Sequence, residues 1–260
     1  MKKFAYQLYA CGKKVFPQNI TVHDRTYQLE KILKHDFFAA TVLYKFATVA
    51  QAAQCKAPPR IVLKVSRQEH FLGLPLRWLG QMLCDHEISI LNRLSRLNCV
   101  PHLLSRYGST GFTYEYIEGS TLDSVTTVPN DFFDKFVDVL RQIHKADIAY
   151  VDMNKRSNII VALDGSPHII DFQISLYIDN YALIFPRLSF LFRRFLQRAD
   201  VYHLLKHKRK LCPHLLTPTE QVLSRCNNSI LHLHRAVATP LRKLRRAFLS
   251  HLRSNGVIPD

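Results

Sequence analysis

Three polar side chains in one short stretch could act together on a phosphate: Asp152, Asn158 and Asp171. One carboxylate can orient an attacking hydroxyl group, while an amide oxygen and a second carboxylate can hold Mg²⁺ against the phosphates of a nucleotide. Asn158 and Asp171 are 13 residues apart, which leaves room for one hairpin that brings their oxygen atoms together. The types and the spacing of these residues therefore indicate phosphoryl transfer.

The surrounding sequence predicts the elements that would position this set. Residues 158–161 predict a strand, Asp164-Gly165 is a hairpin turn signal, and residues 168–170 lead into Asp171. Lys155 lies in the preceding loop, where it could reach a transferred phosphate or extend into solvent. A β-hairpin with two incidental aspartates is the alternative interpretation of the segment.

A lysine and a glutamate farther upstream extend the set. Lys64 lies inside the apolar run 61–65, where its charge is costly unless it reaches solvent or finds an anion. Glu87 follows 23 residues later in the segment 81–97, whose apolar residues recur at helical spacing. Phosphoryl transfer of this kind uses a strand lysine that pairs with a helix glutamate and with the nucleotide phosphates. We therefore predict a Lys64–Glu87 pair, against the alternative of an edge-strand lysine and a surface glutamate.

The residues between these two groups predict further strands and one long helix. Strands are expected at 100–107 and 111–119, and the backbone of 115–119 would link two lobes and hold adenine. Residues 131–146 carry apolar side chains at helical spacing and would form the helix that precedes the Asp152 loop.

The turn expected to cover the phosphates contains no glycine. Strands are predicted at 27–33 and 42–46, with the turn at 34–41 between them. Glycine normally lets the backbone amides of such a turn approach the phosphates. Either the small residues 39–41 replace it, or the nucleotide is held less tightly from this side.

Composition predicts an intracellular folded protein. The chain has 260 residues, is 47% hydrophobic and carries a net charge of +16. Its six cysteines lack the paired spacing of a zinc site or a disulfide framework. We predict no signal peptide and find no run of about 20 apolar residues that could span a bilayer. A cytoplasmic location is expected, with peripheral binding to the inner membrane as the membrane option.

Most of the excess positive charge lies near the C-terminus. Residues 181–260 contain 15 lysines and arginines but only three acidic residues. Two segments in this region, 186–198 and 240–253, combine arginines with aromatic or leucine side chains, and Thr217-Pro218 begins a predicted helix. Such segments suit an anionic membrane surface or glycolipid, nucleic acid, or packing on the rest of the fold. Charge alone does not predict specific binding to nucleic acid.

Taken together, these segments resemble the protein-kinase-like superfamily over roughly residues 25–175. The kinase series H-R-D-x-x-x-x-N followed by D-F-G is similar to Tyr150-Val-Asp152, Asn158 and Asp171-Phe-Gln173. This chain has Tyr for His, Gln for Gly and one additional residue between Asp152 and Asn158. The divergent loop, the DFQ series and the basic tail look most like bacterial lipopolysaccharide Kdo/heptose kinases and RIO-like kinases.

The resemblance implies an α+β, bilobal fold with a small β-rich N-lobe, a helical C-lobe and a basic helical C-terminal extension. We place these parts at residues 1–116, 117–180 and 181–260. It also implies ATP and Mg²⁺ as cofactors. The implied roles are a catalytic base for Asp152 with Lys155 beside it, metal ligands for Asn158 and Asp171, and an α- and β-phosphate contact for Lys64 held by Glu87.

The resemblance further implies a kinase whose favoured acceptor is a sugar hydroxyl of a membrane glycolipid such as lipopolysaccharide core. A protein serine or threonine is the second option, although no A-P-E segment follows Asp171. A pseudokinase that binds nucleotide or a partner is a third option, suggested by Gln173 and by the altered loops.

Overall fold

The computed structural model describes residues 5–47, 57–71, 73–177 and 186–225. Its elements fall into two compact units. The chain passes from the first unit to the second between Tyr116 and Ile117, and Ile90–Pro101 groups with the second unit. Residues 181–185 and 226–260 of the predicted extension, which include the predicted basic segment 240–253, lie outside the described residues.

The first unit is built on a six-stranded antiparallel sheet with the order β1-β2-β3-β4-β6-β5. Its strands are β1 (Asn19–Val22), β2 (Arg25–His35), β3 (Ala39–Phe46), β4 (Arg60–Ser66), β5 (Leu103–Tyr107) and β6 (Gly111–Glu115). β4 is central and apolar, and its residues from Ile61 onward are buried on both faces. The core of this unit lies on one side of the sheet and includes Tyr27, Tyr44 and Leu63.

The turn between β2 and β3 is shorter than the sequence predicts. Residues predicted to be turn, including Lys34, Ala40 and Thr41, pair within the two strands instead. Ala39 and Ala40 are buried, so their small side chains fit a packed sheet rather than an open loop. Only residues 36–38 remain as the turn.

Helix α1 (Arg77–Arg93) also differs from its predicted bounds. It starts four residues before the predicted position 81 and ends at Arg93, so Leu97 lies beyond it. Its buried side includes Cys84 and Glu87. The predicted helix type is therefore confirmed and its limits are shifted toward the N-terminus.

Within the part of the chain that the structure describes, the second unit has three helices and several short strands. The helices are α2 (Phe132–Lys145), α3 (Pro186–Leu211) and α4 (Pro218–Arg225), and the strands are β7 (Gly119–Thr121), β8 (Ile148–Ala149), β9 (Ile159–Ala162), β10 (Pro167–Ile169) and β11 (Leu176–Tyr177). The predicted hairpin is present as β9 and β10, which pair antiparallel through Ile160 and His168. The predicted long helix is present as α2, whose apolar face is buried.

Helix α4 begins as the sequence predicts. The Thr217 hydroxyl accepts a hydrogen bond from the Glu220 amide at 3.2 Å, and the Glu220 carboxylate accepts one from the Thr217 amide at 2.9 Å. These reciprocal bonds form a capping box. No helix among the described residues is both long and apolar enough to cross a bilayer.

Candidate active site

In the first unit, Lys64 and Glu87 form a buried ion pair. The Lys64 Nζ atom lies 2.8 Å from Glu87 Oε1 and 2.7 Å from Oε2. Lys64 is 4% exposed and Glu87 is 2% exposed. Because a buried charge needs a partner, each side chain fixes the position of the other. The structure thus brings together the two residues that the sequence paired.

A glycine lets α1 approach the strand that carries Lys64. A Cβ atom added to Gly80 would lie 1.8 Å from the backbone oxygen of Arg67, which follows β4. No side chain larger than hydrogen fits this contact without displacing the backbone. Gly80 therefore allows the close approach that places Glu87 beside Lys64.

The β2–β3 turn is closed by its own aspartate. Asp36 Oδ1 accepts hydrogen bonds from the amides of Phe38 at 2.9 Å and Ala39 at 3.0 Å. The Asp36 amide donates in turn to the Ala39 oxygen at 3.0 Å. Burial works to raise the pKa of Asp36, but the hydrogen bonds from Lys34 and from the Ala39 and Phe38 amides outweigh it and lower the pKa.

Arg67 also stabilises the β2–β3 turn. Its guanidinium donates to the backbone oxygens of Phe37 at 2.8 Å, Gln7 at 2.7 Å and His70 at 3.1 Å. The guanidinium also lies 3.8 Å from the centroid of the Phe37 ring. This fully buried arginine therefore ties the turn to the N-terminal segment and to the residues after β4.

In the second unit, Asp152 lies at the centre of a small polar cluster. Its Oδ2 atom accepts hydrogen bonds from Lys155 Nζ and from Asn158 Nδ2, the latter at 3.0 Å. Burial raises the pKa of Asp152 and the nearby Asp171 carboxylate adds to the rise, while Lys155 and Asn158 oppose it. A carboxylate with a raised pKa is a better proton acceptor than an ordinary aspartate.

The additional residue in the loop does not separate Asp152 from Asn158. Residues Arg156–Asn158 form one turn of 3₁₀-helix, and the Asn158 amide donates to the Lys155 oxygen at 3.2 Å. The Arg156 side chain donates to the backbone oxygen of Leu122 and fixes this turn. The tight turn takes up the extra length, so the two side chains still meet.

The backbone before Asp152 is strained and is held from α3. Val151 has a φ of 69°, a left-handed conformation that is unusual for a β-branched residue. Asp200 of α3 accepts hydrogen bonds from the amides of Tyr150 at 2.9 Å and Val151 at 2.8 Å, and it contacts His144 Nε2 at 3.1 Å. Strain of this kind persists where its surroundings enforce it. Asp200 enforces it here.

Tyr150 connects the Asp152 loop to the segment that carries Asp171. Its hydroxyl donates to the Ile170 oxygen at 2.6 Å, and its own backbone oxygen accepts from Ser175 Oγ at 3.1 Å. Its ring packs edge-to-face on Phe172 with centroids 5.2 Å apart. Burial, followed by the charges of Asp171 and Asp152, raises the pKa of Tyr150 well above its usual value, so it stays a neutral donor.

Asn158 and Asp171 offer the hard oxygen ligands that Mg²⁺ prefers. Asn158 uses its Nδ2 atom towards Asp152, which leaves Oδ1 as its oxygen for a cation. The Asn158 oxygen of the main chain accepts from the Ile170 amide at 3.0 Å and so ties the loop to the residue before Asp171. Asp171 has a φ of 64°. The mutual repulsion of Asp152 and Asp171 is the kind that a cation would relieve.

Sequence reasoning missed the residues that support this cluster. Asp200 was counted only as an acid within a basic segment, although its position as the sole acidic residue of α3 was a usable signal. His207 of α3 lies in a run rich in lysines and histidines, residues 202–214, and it contacts the Met153 oxygen at 2.8 Å. Lys206 and Lys208 of that run bind Asn154 at 3.0 Å and Glu220 at 2.9 Å. Much of the run therefore holds the fold together.

Solved structures of kinases match the fold of this chain. The kinase domain of BubR1 matches with a TM-score of 0.50 at 15% identity, over 77% of this chain and 66% of that one. The Rio2 kinase from Chaetomium thermophilum matches with a TM-score of 0.51 at 13% identity, over 73% of this chain and 60% of that one. This chain has a protein-kinase-like fold.

A second structure of the Chaetomium thermophilum Rio2 kinase, a complex with ADP, Mg²⁺ and phosphoaspartate, matches with a TM-score of 0.51 at 12% identity, over 73% of this chain. The present chain spans between 58% and 66% of the length of these kinase structures. At such identities the likeness concerns the fold. No family model matches the sequence, and no curated protein does.

Proposed function

We propose that this chain is an ATP- and Mg²⁺-dependent phosphotransferase that acts on an alcohol group. The observation that carries the proposal is the Asp152 cluster, in which a largely buried carboxylate is held by Lys155 and Asn158 within a protein-kinase-like fold. An incidental aspartate would have no need of a strained backbone at Val151 or of the Asp200 anchor.

In the proposed mechanism, Asp152 orients the acceptor hydroxyl group and takes its proton as the acceptor oxygen bonds to the γ-phosphorus. The bond between that phosphorus and the β-phosphate oxygen breaks, and ADP leaves. Burial raises the pKa of Asp152, which favours this proton transfer. Lys155, whose ammonium already contacts Asp152, neutralises charge on the transferred phosphoryl group. Asn158 and Asp171 would hold Mg²⁺, which supplies charge neutralisation for the phosphates when bound.

In the first unit, Lys64 is the residue that we propose to contact the nucleotide phosphates. It would contact the α- and β-phosphates of ATP, and Glu87 fixes its ammonium group. The β2–β3 turn offers few amides for a phosphate because those of Asp36, Phe38 and Ala39 are already bonded within the turn. Of the two options left by the sequence, weaker holding of the nucleotide from this turn is the one we propose.

The acceptor that we favour is a sugar hydroxyl of a membrane glycolipid, in keeping with the resemblance to bacterial lipopolysaccharide kinases. The basic and aromatic surface of α3 supports an acceptor at an anionic membrane. A protein serine or threonine is the alternative acceptor.

A nucleotide-binding pseudokinase is the alternative outside catalysis. The closed β2–β3 turn favours it, because a kinase normally covers the phosphates with the amides of this turn. A pseudokinase would bind ATP without transferring its γ-phosphate.

The test is Mg²⁺-dependent transfer of labelled γ-phosphate from ATP, with membrane glycolipid extract and protein lysate as separate acceptors. Asp152→Asn is expected to reduce transfer by about 10²- to 10⁴-fold. Asp171→Ala is expected to abolish Mg²⁺-dependent ATP binding. Asp138→Asn is the matched control, since this exposed aspartate forms an ion pair with Arg141 on the surface of α2. Transfer that is unchanged in folded Asp152→Asn protein would overturn the assignment, and ATP binding without any transfer would support the pseudokinase.

A further inference from the structure

Helix α3 has two faces with opposite properties. The inner face, which includes Ser189, Arg193, Leu196, Asp200 and His207, is buried. Through Asp200 and His207 this face holds the Asp152 loop. The outer face is defined by Arg187, Phe190, Leu191, Arg194, Arg198 and Val201, which recur at helical spacing on the opposite side.

The outer face combines cations with exposed apolar side chains. Arg187, Arg194 and Arg198 are exposed. Phe190 is 41% exposed, Leu191 is 63% exposed and Val201 is 39% exposed. Large apolar side chains exposed together on one helix mark a surface that contacts another molecule or a membrane.

We infer that the outer face of α3 docks the second unit on an anionic lipid bilayer. Arg187 to Val201 covers 14 helical steps, or about 21 Å, and the helix can lie along a membrane surface over this length. The apolar side chains would enter the boundary between headgroups and acyl chains. The three arginines would meet lipid phosphates, a complementarity of charge that no acidic residue on this face opposes.

The apolar side chains favour a bilayer over nucleic acid. Nucleic acid phosphates reward the arginines, and an exposed aromatic ring can stack on a base. Leu191 and Val201 gain little from either contact, but both gain from the acyl region of a bilayer. A mixed face of this kind is therefore better matched to lipid.

Docking on a bilayer does not depend on the proposed function. Only its purpose rests on that function, because docking would bring the Asp152 loop near an acceptor in the same membrane. Because the inner face of α3 binds that loop, docking of the outer face would hold the loop about one helix diameter, roughly 10 Å, from the membrane surface. Docking itself requires no catalysis, so the two proposals can fail separately.

The experiment is sedimentation of the full chain with vesicles of phosphatidylcholine, with and without phosphatidylglycerol. We expect binding to the anionic vesicles, and loss of about fivefold in partition for each of Arg187→Gln, Arg194→Gln and Arg198→Gln. Leu191→Ser is expected to weaken the same binding. The matched control is the α2 triple variant Lys135→Gln, Arg141→Gln and Lys145→Gln, which removes the same charge from exposed positions of another helix in the same unit.

Several results would overturn the inference. These are equal losses in the α2 triple variant and in an α3 variant that combines Arg187→Gln, Arg194→Gln and Arg198→Gln, binding to the uncharged vesicles alone, or binding to RNA with none to vesicles. Asp152→Asn is expected to bind vesicles as the wild type does. Vesicle binding by a chain that transfers no phosphate would leave the docking surface in place and count against the proposed function, and transfer without vesicle binding would do the reverse.

Discussion

The Asp152 loop and the β2–β3 turn are stabilised in opposite ways. In the loop, side chains from elsewhere in the second unit bind the backbone: Asp200 holds two amides and His207 contacts the Met153 oxygen. In the turn, Asp36 binds the amides of its own neighbours. The loop therefore keeps its polar side chains for chemistry, whereas the turn uses its backbone to hold itself.

Under the proposed function, this difference assigns a chemical role to the Asp152 loop and a structural role to the β2–β3 turn. A phosphate-covering turn binds phosphate through its backbone amides. In the β2–β3 turn, the amides of Phe38 and Ala39 donate to the Asp36 side chain instead. A catalytic loop works through its side chains, and Asp152 and Asn158 stay together despite the additional residue between them. In the first unit, the proposed contact with phosphate then falls mainly to Lys64.

The largest expected effect comes from Asp200→Ala. The change leaves the buried amides of Tyr150 and Val151 without their acceptor, and the strained Val151 without its anchor. Since an unsatisfied buried amide costs about 1–3 kcal/mol, we expect the free energy of unfolding to fall by about 3 kcal/mol. Urea denaturation followed by circular dichroism measures the loss.

Asp138→Ala serves as the control for Asp200→Ala. Asp138 is 66% exposed and pairs with an equally exposed Arg141, so its removal is expected to cost less than about 1 kcal/mol. Asp200→Asn keeps one acceptor oxygen and is expected to lie between the two. A similar loss for the exposed and the buried aspartate would show that α3 does not hold the loop.

Arg67→Met is expected to have the next largest effect. Methionine fills similar space but offers no donor to the oxygens of Phe37, Gln7 and His70. Removal of a buried charge offsets part of the loss, so we expect a reduction of about 2 kcal/mol in the free energy of unfolding. Thermal and urea unfolding measure it, with Arg106→Met as the exposed counterpart, paired with Asp85.

The comparison also predicts what Arg67→Met leaves unchanged. If the turn is structural, ATP affinity of the folded variant stays within about twofold of the wild type, because the contacts to phosphate do not depend on the turn. A large change in ATP affinity without a change in stability would mean that the turn contacts the nucleotide after all.

Local patterns in the sequence predicted the parts of the site that depend on spacing. A lysine in an apolar strand needs an anion, and Glu87 was the acid at the right place in the next helix, so Lys64 and Glu87 could be paired in advance. The β9–β10 hairpin followed from Asp164-Gly165 in the same way. The kinase-like fold itself followed from the order of these segments.

The supports of the site could not be predicted because they come from distant positions. Asp200 is 50 residues from Tyr150 in the sequence, and Arg67 is 60 residues from Gln7. Both side chains bind backbone atoms. Since every residue has the same backbone groups, the sequence does not indicate which of them a distant side chain will bind. The closed turn was missed for a related reason, since Ala39 and Ala40 are compatible with a loop until the sheet buries them.

The smallest expected effect, and the sharpest test of the turn, comes from Asp36→Asn. The asparagine Oδ1 can still accept from the Phe38 and Ala39 amides, so only the charge and the contact with Lys34 are lost. Because Asp36 is about one third exposed, solvent screens this charge, and we expect a loss of less than about 1 kcal/mol at neutral pH.

The pKa of Asp36 is lowered in the folded protein, so the contribution is complete above the pKa of the unfolded carboxyl group, about 3.9, and disappears as the pH falls through the folded pKa. Wild type and variant should therefore begin to converge in stability below about pH 4 and become equal below the folded pKa, and a double-mutant cycle with Lys34→Gln isolates the ion pair. The nucleotide supplies the decisive measurement. If phosphates approached this turn, removal of the Asp36 charge would relieve repulsion and tighten ATP binding, whereas a structural turn leaves ATP affinity within about twofold. Tighter ATP binding in Asp36→Asn would thus show that the β2–β3 turn lies close to the phosphates and is not only structural.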